Sequence, residues 1–79
     1  MTNEQLQILL MQIMPDSQVI IDGDGYHFMA TIVSDAFAGL SKVKRQQLVY
    51  QGVSSYITSG KLHALTLSTY TPEEWTQHG

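Results

Sequence analysis

The hydrophobic pattern of the chain changes from a helical to an extended period at Pro15, and this change limits what the N-terminal part can form. Before Pro15, apolar side chains recur on one face of a helix that runs from Thr2 to Met14: Leu6, Leu9, Leu10, Ile13 and Met14. Thr2 or Asn3 can cap this helix. The helix ends at Pro15, because the residue before a proline is disfavoured in the helical region.

Two extended segments follow the first helix and predict a β-hairpin. The first is the β-branched run Val19-Ile20-Ile21, and the second runs from Phe28 to Val33. Between them, Gly23-Asp24-Gly25 is typical of a turn, since glycine readily adopts positive φ.

The middle of the chain predicts a short helical turn and then a long helix. The turn lies around Ala36-Phe37-Ala38 and ends at Gly39, and Ser41 can cap a helix that runs to about Thr58 and ends at Gly60. The buried stripe of this long helix is predicted to comprise Val49, Val53, Tyr56 and Ile57.

The last part of the chain predicts a strand and a final helix. In the strand, from Leu62 to Tyr70, Leu65 and Leu67 alternate with polar residues. Thr71 as N-cap, Pro72 as the first helical residue and Glu74 as the partner in a capping box then begin the helix, which Trp75 is expected to fix to the body.

The order of elements is therefore α-β-β-α-α-β-α, which defines an α+β fold. The connection from the second to the third strand should be a right-handed crossover, so these two strands are predicted to be parallel. We expect a three-stranded mixed sheet with helices on one face, in one domain that spans residues 1–79.

The composition excludes several classes of protein. Without cysteine, the chain forms no disulfide, no cysteine-ligated metal site of its own and no thiol nucleophile. The polar N-terminus does not resemble a signal peptide, and no apolar run approaches the roughly 20 residues that span a bilayer. We therefore expect a cytoplasmic protein. Asp22 and Asp24 lack a positioned partner, and no serine or histidine has the context of a nucleophile, so an enzyme is not predicted.

The charges are few and unevenly placed. The formal net charge is −3, from 4 Lys+Arg and 7 Asp+Glu, and an acidic chain is poorly suited to non-specific binding of nucleic acid. Three of the four cations, Lys42, Lys44 and Arg45, fall at the start of the long helix. Such a cluster is either a solvated helix start or a local docking surface.

Two blocks of sequence carry a resemblance to a known family. The block from Phe37 to Tyr50 reads F-x-G-x-S-x-x-x-R-x-x-x-V-Y, and the second block places a leucine before His63-Ala64 and then T-P-x-E-W from Thr71 to Trp75. Together they resemble the BolA family, and the histidine in place of cysteine in the first hairpin resembles its IbaG-type branch.

The resemblance implies a fold related to the class II KH domain. KH domains clamp nucleic acid through a G-x-x-G loop. The corresponding loop here reads Gly39-Leu-Ser-Lys42 and lacks the second glycine. This difference weakens the expectation of KH-type binding to RNA.

The resemblance also implies a shared metal site. In BolA-like proteins the histidine of the H-A pair, here His63, is offered as a ligand to a [2Fe–2S] cluster that is held jointly with a monothiol glutaredoxin, for cluster trafficking or a stress response. The first hairpin supplies a second candidate ligand, here His27. Neutral imidazole is a good iron ligand. From the residues alone, His63 could equally be a structural histidine and His27 an exposed hairpin residue without a role, and His78 is expected to be frayed and inert.

The family arginine, here Arg45, is implied to belong to the surface that docks the partner, with Lys42, Lys44 and Ala64. The alternative is that the stem of Arg45 packs along the helix while its head stays in water. On the docking view Arg45→Glu is expected to weaken binding of the partner while changing stability little, whereas a large loss of stability would support the packing view. A different class of function also remains open, namely a nucleic-acid-binding regulator that uses the helix after Ser41, and so does homodimer formation by the protein alone.

Overall fold

The computed structural model describes residues 1–78, and its elements follow the predicted order. Helix α1 spans Asn3–Ile13, strand β1 Gln18–Gly23 and strand β2 His27–Val33. A 3₁₀ turn at Asp35–Phe37 precedes helix α2, Lys42–Thr58, and strand β3, Ala64–Tyr70, leads into helix α3, Pro72–His78.

The helix starts are set by the predicted caps. The Thr2 side chain accepts the Gln5 N–H at 3.1 Å, and the Gln5 side chain accepts the Thr2 N–H in return. Ser41 caps α2 by accepting the Lys44 N–H at 3.2 Å. These side chains satisfy backbone donors that have no partner within the first turn of a helix.

The sheet has the order β1-β2-β3, with β2 in the centre. Strands β1 and β2 are antiparallel, and β2 and β3 are parallel, as predicted. Burial alternates along β2: Phe28, Ala30 and Ile32 are buried, whereas His27 and Met29 are exposed. One face of the sheet is therefore covered by the helices, and the other is open to solvent at these positions.

Helix α2 runs antiparallel to β3. The Gln46 side chain, near its start, donates to the Leu67 carbonyl at 2.9 Å, and the Tyr50 hydroxyl, one turn later, donates to the Leu65 carbonyl. As the chain advances along α2, its contacts therefore move back toward the beginning of β3. The N-terminus of α2 consequently lies at the end of the sheet opposite to the first residue of β3.

The core lies between the sheet and the helices. Its buried members come from every element except α3: Leu6, Leu10, Met14, Val19, Phe28, Ala30, Ile32, Phe37, Val49, Val53, Leu62 and Leu67. The predicted stripe of α2 is wrong at Ile57, which is 40% exposed. A four-residue step advances about 40° around a helix, so the stripe through Val49 and Val53 has rotated outward by Ile57, and Tyr56 packs against the core instead.

Helices α1 and α2 approach each other at a glycine. A Cβ on Gly52 would lie 2.8 Å from both Cδ1 and Cγ2 of Ile13 and 2.9 Å from its Cγ1. Since three atoms of the isoleucine are this close, rotating its terminal methyl group alone would not make room. Glycine inside a helix costs about 1 kcal/mol relative to alanine, and here it permits the contact between the helices.

We therefore expect Gly52→Ala to destabilise the protein, although alanine is the better helix former. In an Ile13→Ala background the same substitution should instead stabilise it, by up to about 1 kcal/mol, because the steric conflict is gone. Urea denaturation of the four proteins in this cycle measures both effects. A stabilising Gly52→Ala in the wild-type background would show that the contact with Ile13 does not constrain this position.

Candidate metal-ligating site at the edge of the sheet

The two candidate ligands lie at the same end of the sheet. His27 is the first residue of β2, and its register partner on the neighbouring parallel strand is Ala64, the first residue of β3. His63 therefore precedes β3 by one residue, a correction to the predicted strand, which began at Leu62. Neighbouring strands are about 4.8 Å apart, so the parallel pairing brings the backbones of His27 and His63 together. Both histidines are exposed.

An aromatic residue that no sequence pattern identified contacts both histidines. The Tyr26 ring is stacked on the His63 ring, with centroids 4.7 Å apart and planes inclined by 16°. It meets the His27 ring edge-on, at 4.8 Å and 75°. The only available signal was a tyrosine next to a histidine in a glycine-rich turn. The contact with His63, 37 positions later, depends on the parallel pairing.

The turn that carries Tyr26 and His27 is held by an aspartate. One carboxylate oxygen of Asp24, Oδ1, accepts the Tyr26 N–H at 2.9 Å and the His27 N–H at 2.8 Å. The Asp24 N–H in turn donates to the His27 carbonyl at 3.2 Å, and Gly25 adopts a φ of 93°. The hydrogen bond from the His27 backbone, followed by that from Tyr26, lowers the pKa of the Asp24 carboxyl below its ordinary value.

The chemistry of these donors fits a metal centre that is completed by another molecule. Imidazole nitrogens suit iron, zinc and copper, and stacking occupies the face of the His63 ring rather than its in-plane lone pairs. Among residues 1–78, no group of three or more His, Cys, Asp or Glu side chains is placed to hold a metal ion. His27 and His63 are thus two imidazole donors at one end of the sheet, fewer than the four ligands of a structural zinc site.

The structure does not bring the cationic residues to this site. Lys42 and Lys44 are exposed at the start of α2, and Lys42 lines a groove with Thr69 and Tyr70, at the far end of β3 from His63. Seven strand residues at about 3.3 Å each separate the two ends by about 20 Å. Of the residues predicted to dock a partner, Ala64 alone, which is half-buried, lies beside the histidines.

The expectation that the head of Arg45 stays in water is wrong, and a role of Arg45 in docking a partner stays a prediction. Its side chain is only 7% exposed and forms a two-pronged ion pair with Glu74, Nη1 to Oε1 at 2.7 Å and Nη2 to Oε2 at 3.3 Å. Its Nε donates to the Leu40 carbonyl at 3.0 Å, and its guanidinium lies 5.8 Å from the centroid of the Phe37 ring. Arg45 is therefore a structural residue that ties α2 to α3.

Glu74 serves two interactions at once. It accepts the Thr71 N–H at 2.8 Å, and its own N–H donates to the Thr71 hydroxyl at 3.2 Å, which confirms the predicted capping box of α3. The hydrogen bond from Arg45, followed by that from the Thr71 backbone, lowers the pKa of Glu74 to about 2.

The end of α3 is also more ordered than predicted. His78 lies within the helix and stacks on Trp75, with centroids 5.3 Å apart, and both rings contact Tyr70. The expectation that His78 is frayed is therefore wrong, although its place at the far end of β3 separates it from His63.

Comparisons with known proteins agree with this architecture. Residues 3–74 match the family described as BolA-like protein. The solved structure of a BolA homologue from Coxiella burnetii superimposes with a TM-score of 0.87 at 35% identity, covering 96% of this chain and 97% of that one. The chain belongs to the BolA-like family.

The chain is similar to two named members of this family, over different shares of their lengths. It is 40% identical to the acid stress protein IbaG of Escherichia coli (strain K12) over 75 residues, which are 95% of this chain and 89% of the relative. It is 44% identical to the DNA-binding transcriptional regulator BolA of Vibrio cholerae over 55 residues, 70% of this chain and 51% of the relative.

In the described part of the chain, no helix has the length and apolar character to cross a membrane.

Replacing Arg45 should destabilise the fold, in contrast to the small effect expected of a surface residue. We expect Arg45→Leu to lower the free energy of unfolding by about 1–3 kcal/mol, because the partly buried Leu40 carbonyl loses its donor. Lys44→Leu, one position away and exposed, is the matched control and should stay within about 0.5 kcal/mol of the wild type. Urea denaturation measures both. Equal stability of the two variants would show that Arg45 contributes no more to the fold than a surface residue does.

The ion pair between Arg45 and Glu74 should also make the stability of the protein depend on pH. The folded-state pKa of Glu74 is depressed, so the stabilisation is complete above the ordinary value of 4.5 and is lost as the pH falls through about 2. The difference in melting temperature between the wild type and Glu74→Gln should therefore be constant at neutral pH and shrink in this acidic window. A difference in melting temperature that stays unchanged as the pH falls through about 2 would show that the charge of Glu74 does not stabilise the fold.

Proposed function

We propose that this protein is an adaptor that binds a monothiol glutaredoxin and, through His63, co-ligates a [2Fe–2S] cluster that the two proteins hold jointly, for cluster trafficking or a stress response. The observation that carries the proposal is the placement of two exposed imidazoles at one end of the sheet, in a chain without cysteine. Such a protein can offer nitrogen ligands but needs a partner for sulfur.

His63 is the better placed of the two ligands. It lies one residue before β3, so its backbone is free of the register that fixes His27, and it is exposed. Replacing a thiolate ligand by neutral imidazole raises the reduction potential of a [2Fe–2S] centre and changes its charge. A ligand exchange between the glutaredoxin and His63 would therefore distinguish the mixed complex from a glutaredoxin homodimer.

The partner would dock at the histidine end of the molecule. Ala64, with its half-buried side chain, lies in register with His27 and directly follows His63 in the sequence. Lys42 and Lys44 would be reached only by a partner that extends along β3, over about 20 Å. The exchange is expected in the cytoplasm, where thiols are kept reduced.

A nucleic-acid-binding regulator is the second candidate, favoured by the name of the Vibrio cholerae relative and by the class II KH-like arrangement expected from the sequence. Lys42 and Lys44 project from the start of α2. The net charge of −3 and the pairing of Arg45 with Glu74 reduce the cationic surface that phosphate contacts require. The missing second glycine argues against a KH-type loop that clamps nucleic acid. This candidate therefore ranks below the adaptor.

The adaptor role predicts a specific spectroscopic effect of His63. When the protein is mixed with a cluster-loaded monothiol glutaredoxin, the visible absorption and circular dichroism should change as imidazole replaces a sulfur ligand. His63→Ala should return the spectrum to that of the glutaredoxin homodimer, and His27→Ala should have a smaller effect.

His78→Ala is the matched control, because this histidine lies at the other end of β3 and should leave the mixed spectrum unchanged. A heterocomplex whose spectrum is the same with and without His63 would falsify the ligand assignment.

A further inference from the structure

The geometry points to Tyr26 as a positioning residue for His63: we propose that its ring holds the His63 imidazole in the orientation in which a ring nitrogen can bind an iron of the shared cluster. The inference rests on the proposed function and extends it to a residue that does not itself bind the metal. It is based on the stacking of the two rings, whose centroids lie 4.7 Å apart and whose planes are inclined by 16°.

Tyr26 is held in place by the turn rather than by the core. Its N–H donates to the Asp24 carboxylate at 2.9 Å, beside the matching bond from His27 at 2.8 Å. The side chain itself is 55% exposed and is absent from the core cluster. An exposed aromatic ring on a fixed backbone thus extends over the histidine that precedes β3.

Stacking on Tyr26 orients His63 and still leaves its ring nitrogens available to bind a metal. The tyrosine covers the face of the imidazole, whereas iron binds to a nitrogen lone pair in the plane of the ring. An exposed histidine outside a strand would otherwise sample several rotamers and lose that freedom on ligation. A ring that is already oriented avoids part of this loss, and preorganisation of this kind increases affinity without adding a contact to the metal.

The edge-on contact with His27 gives the tyrosine a second role in the same arrangement. Because the ring touches both imidazoles, at 4.7 and 4.8 Å, it fixes their relative position as well as the plane of His63. The tyrosine therefore links the hairpin turn to the start of β3 on the exterior of the molecule.

The test compares Tyr26→Phe, which keeps the ring, with Tyr26→Leu, which removes it. The first readout uses the protein alone: the ring protons of His63 should show an upfield ring-current shift in the NMR spectra of the wild type and Tyr26→Phe, and lose it in Tyr26→Leu. Both variants should melt near the wild-type temperature, since the side chain lies outside the core.

The second readout is a titration of cluster-loaded monothiol glutaredoxin. Tyr26→Leu should weaken formation of the mixed cluster about two- to tenfold, the range that aromatic pair energies imply, while Tyr26→Phe matches the wild type. Binding of the glutaredoxin without its cluster should be the same for all three proteins, which separates orientation of the ligand from docking.

The outcomes separate this inference from the function on which it rests. If the ring-current shift is absent from the wild type, or if Tyr26→Leu forms the mixed cluster as well as or better than the wild type, the positioning role is wrong while the adaptor function stands. If the wild-type mixed spectrum is indifferent to His63→Ala, the proposed function fails and the positioning role fails with it. Loss of cluster-free binding in Tyr26→Leu would instead make the tyrosine a docking residue.

Discussion

The parallel pairing of β2 with β3 is the constraint on which the rest of the molecule depends. It places His27 opposite Ala64 and so brings together two histidines that are 36 positions apart in the sequence. The crossover that it requires sends α2 back along the sheet, which carries Lys42 to the other end. One set of backbone hydrogen bonds thus assembles the histidine site and separates it from the cations.

Local chemistry made most of the fold predictable. The capping residues Thr2, Ser41 and Thr71, and the glycine at position 60, identified the helix ends because their effect is confined to one turn. The two strand directions followed from the lengths of the connections, and the α-β-β-α-α-β-α order was correct. Strand β2 begins at His27, one residue before the predicted start at Phe28, and the glycine-containing turn that precedes it was predicted.

The errors concern side chains whose environment is determined by distant parts of the chain. Arg45 looks like a surface residue within its own helix, and only the return of the chain at Glu74 explains why it is buried. The stack of Tyr26 on His63 requires the same long-range closure. Lys42 and Lys44 lie at the other end of the sheet from His63, and this separation depends on the direction of α2, which no local pattern indicates.

The histidine site also bears on how the protein folds. Tyr26 and His27 belong to a hairpin turn that can close early, because its hydrogen bonds join neighbours in sequence. His63 joins them only when the third strand docks, and that non-local contact carries the largest loop-closure entropy of the sheet. In a partly folded chain, or one whose edge strand β3 has detached, the two imidazoles are therefore not held together, so the paired site exists only in molecules that have completed their sheet.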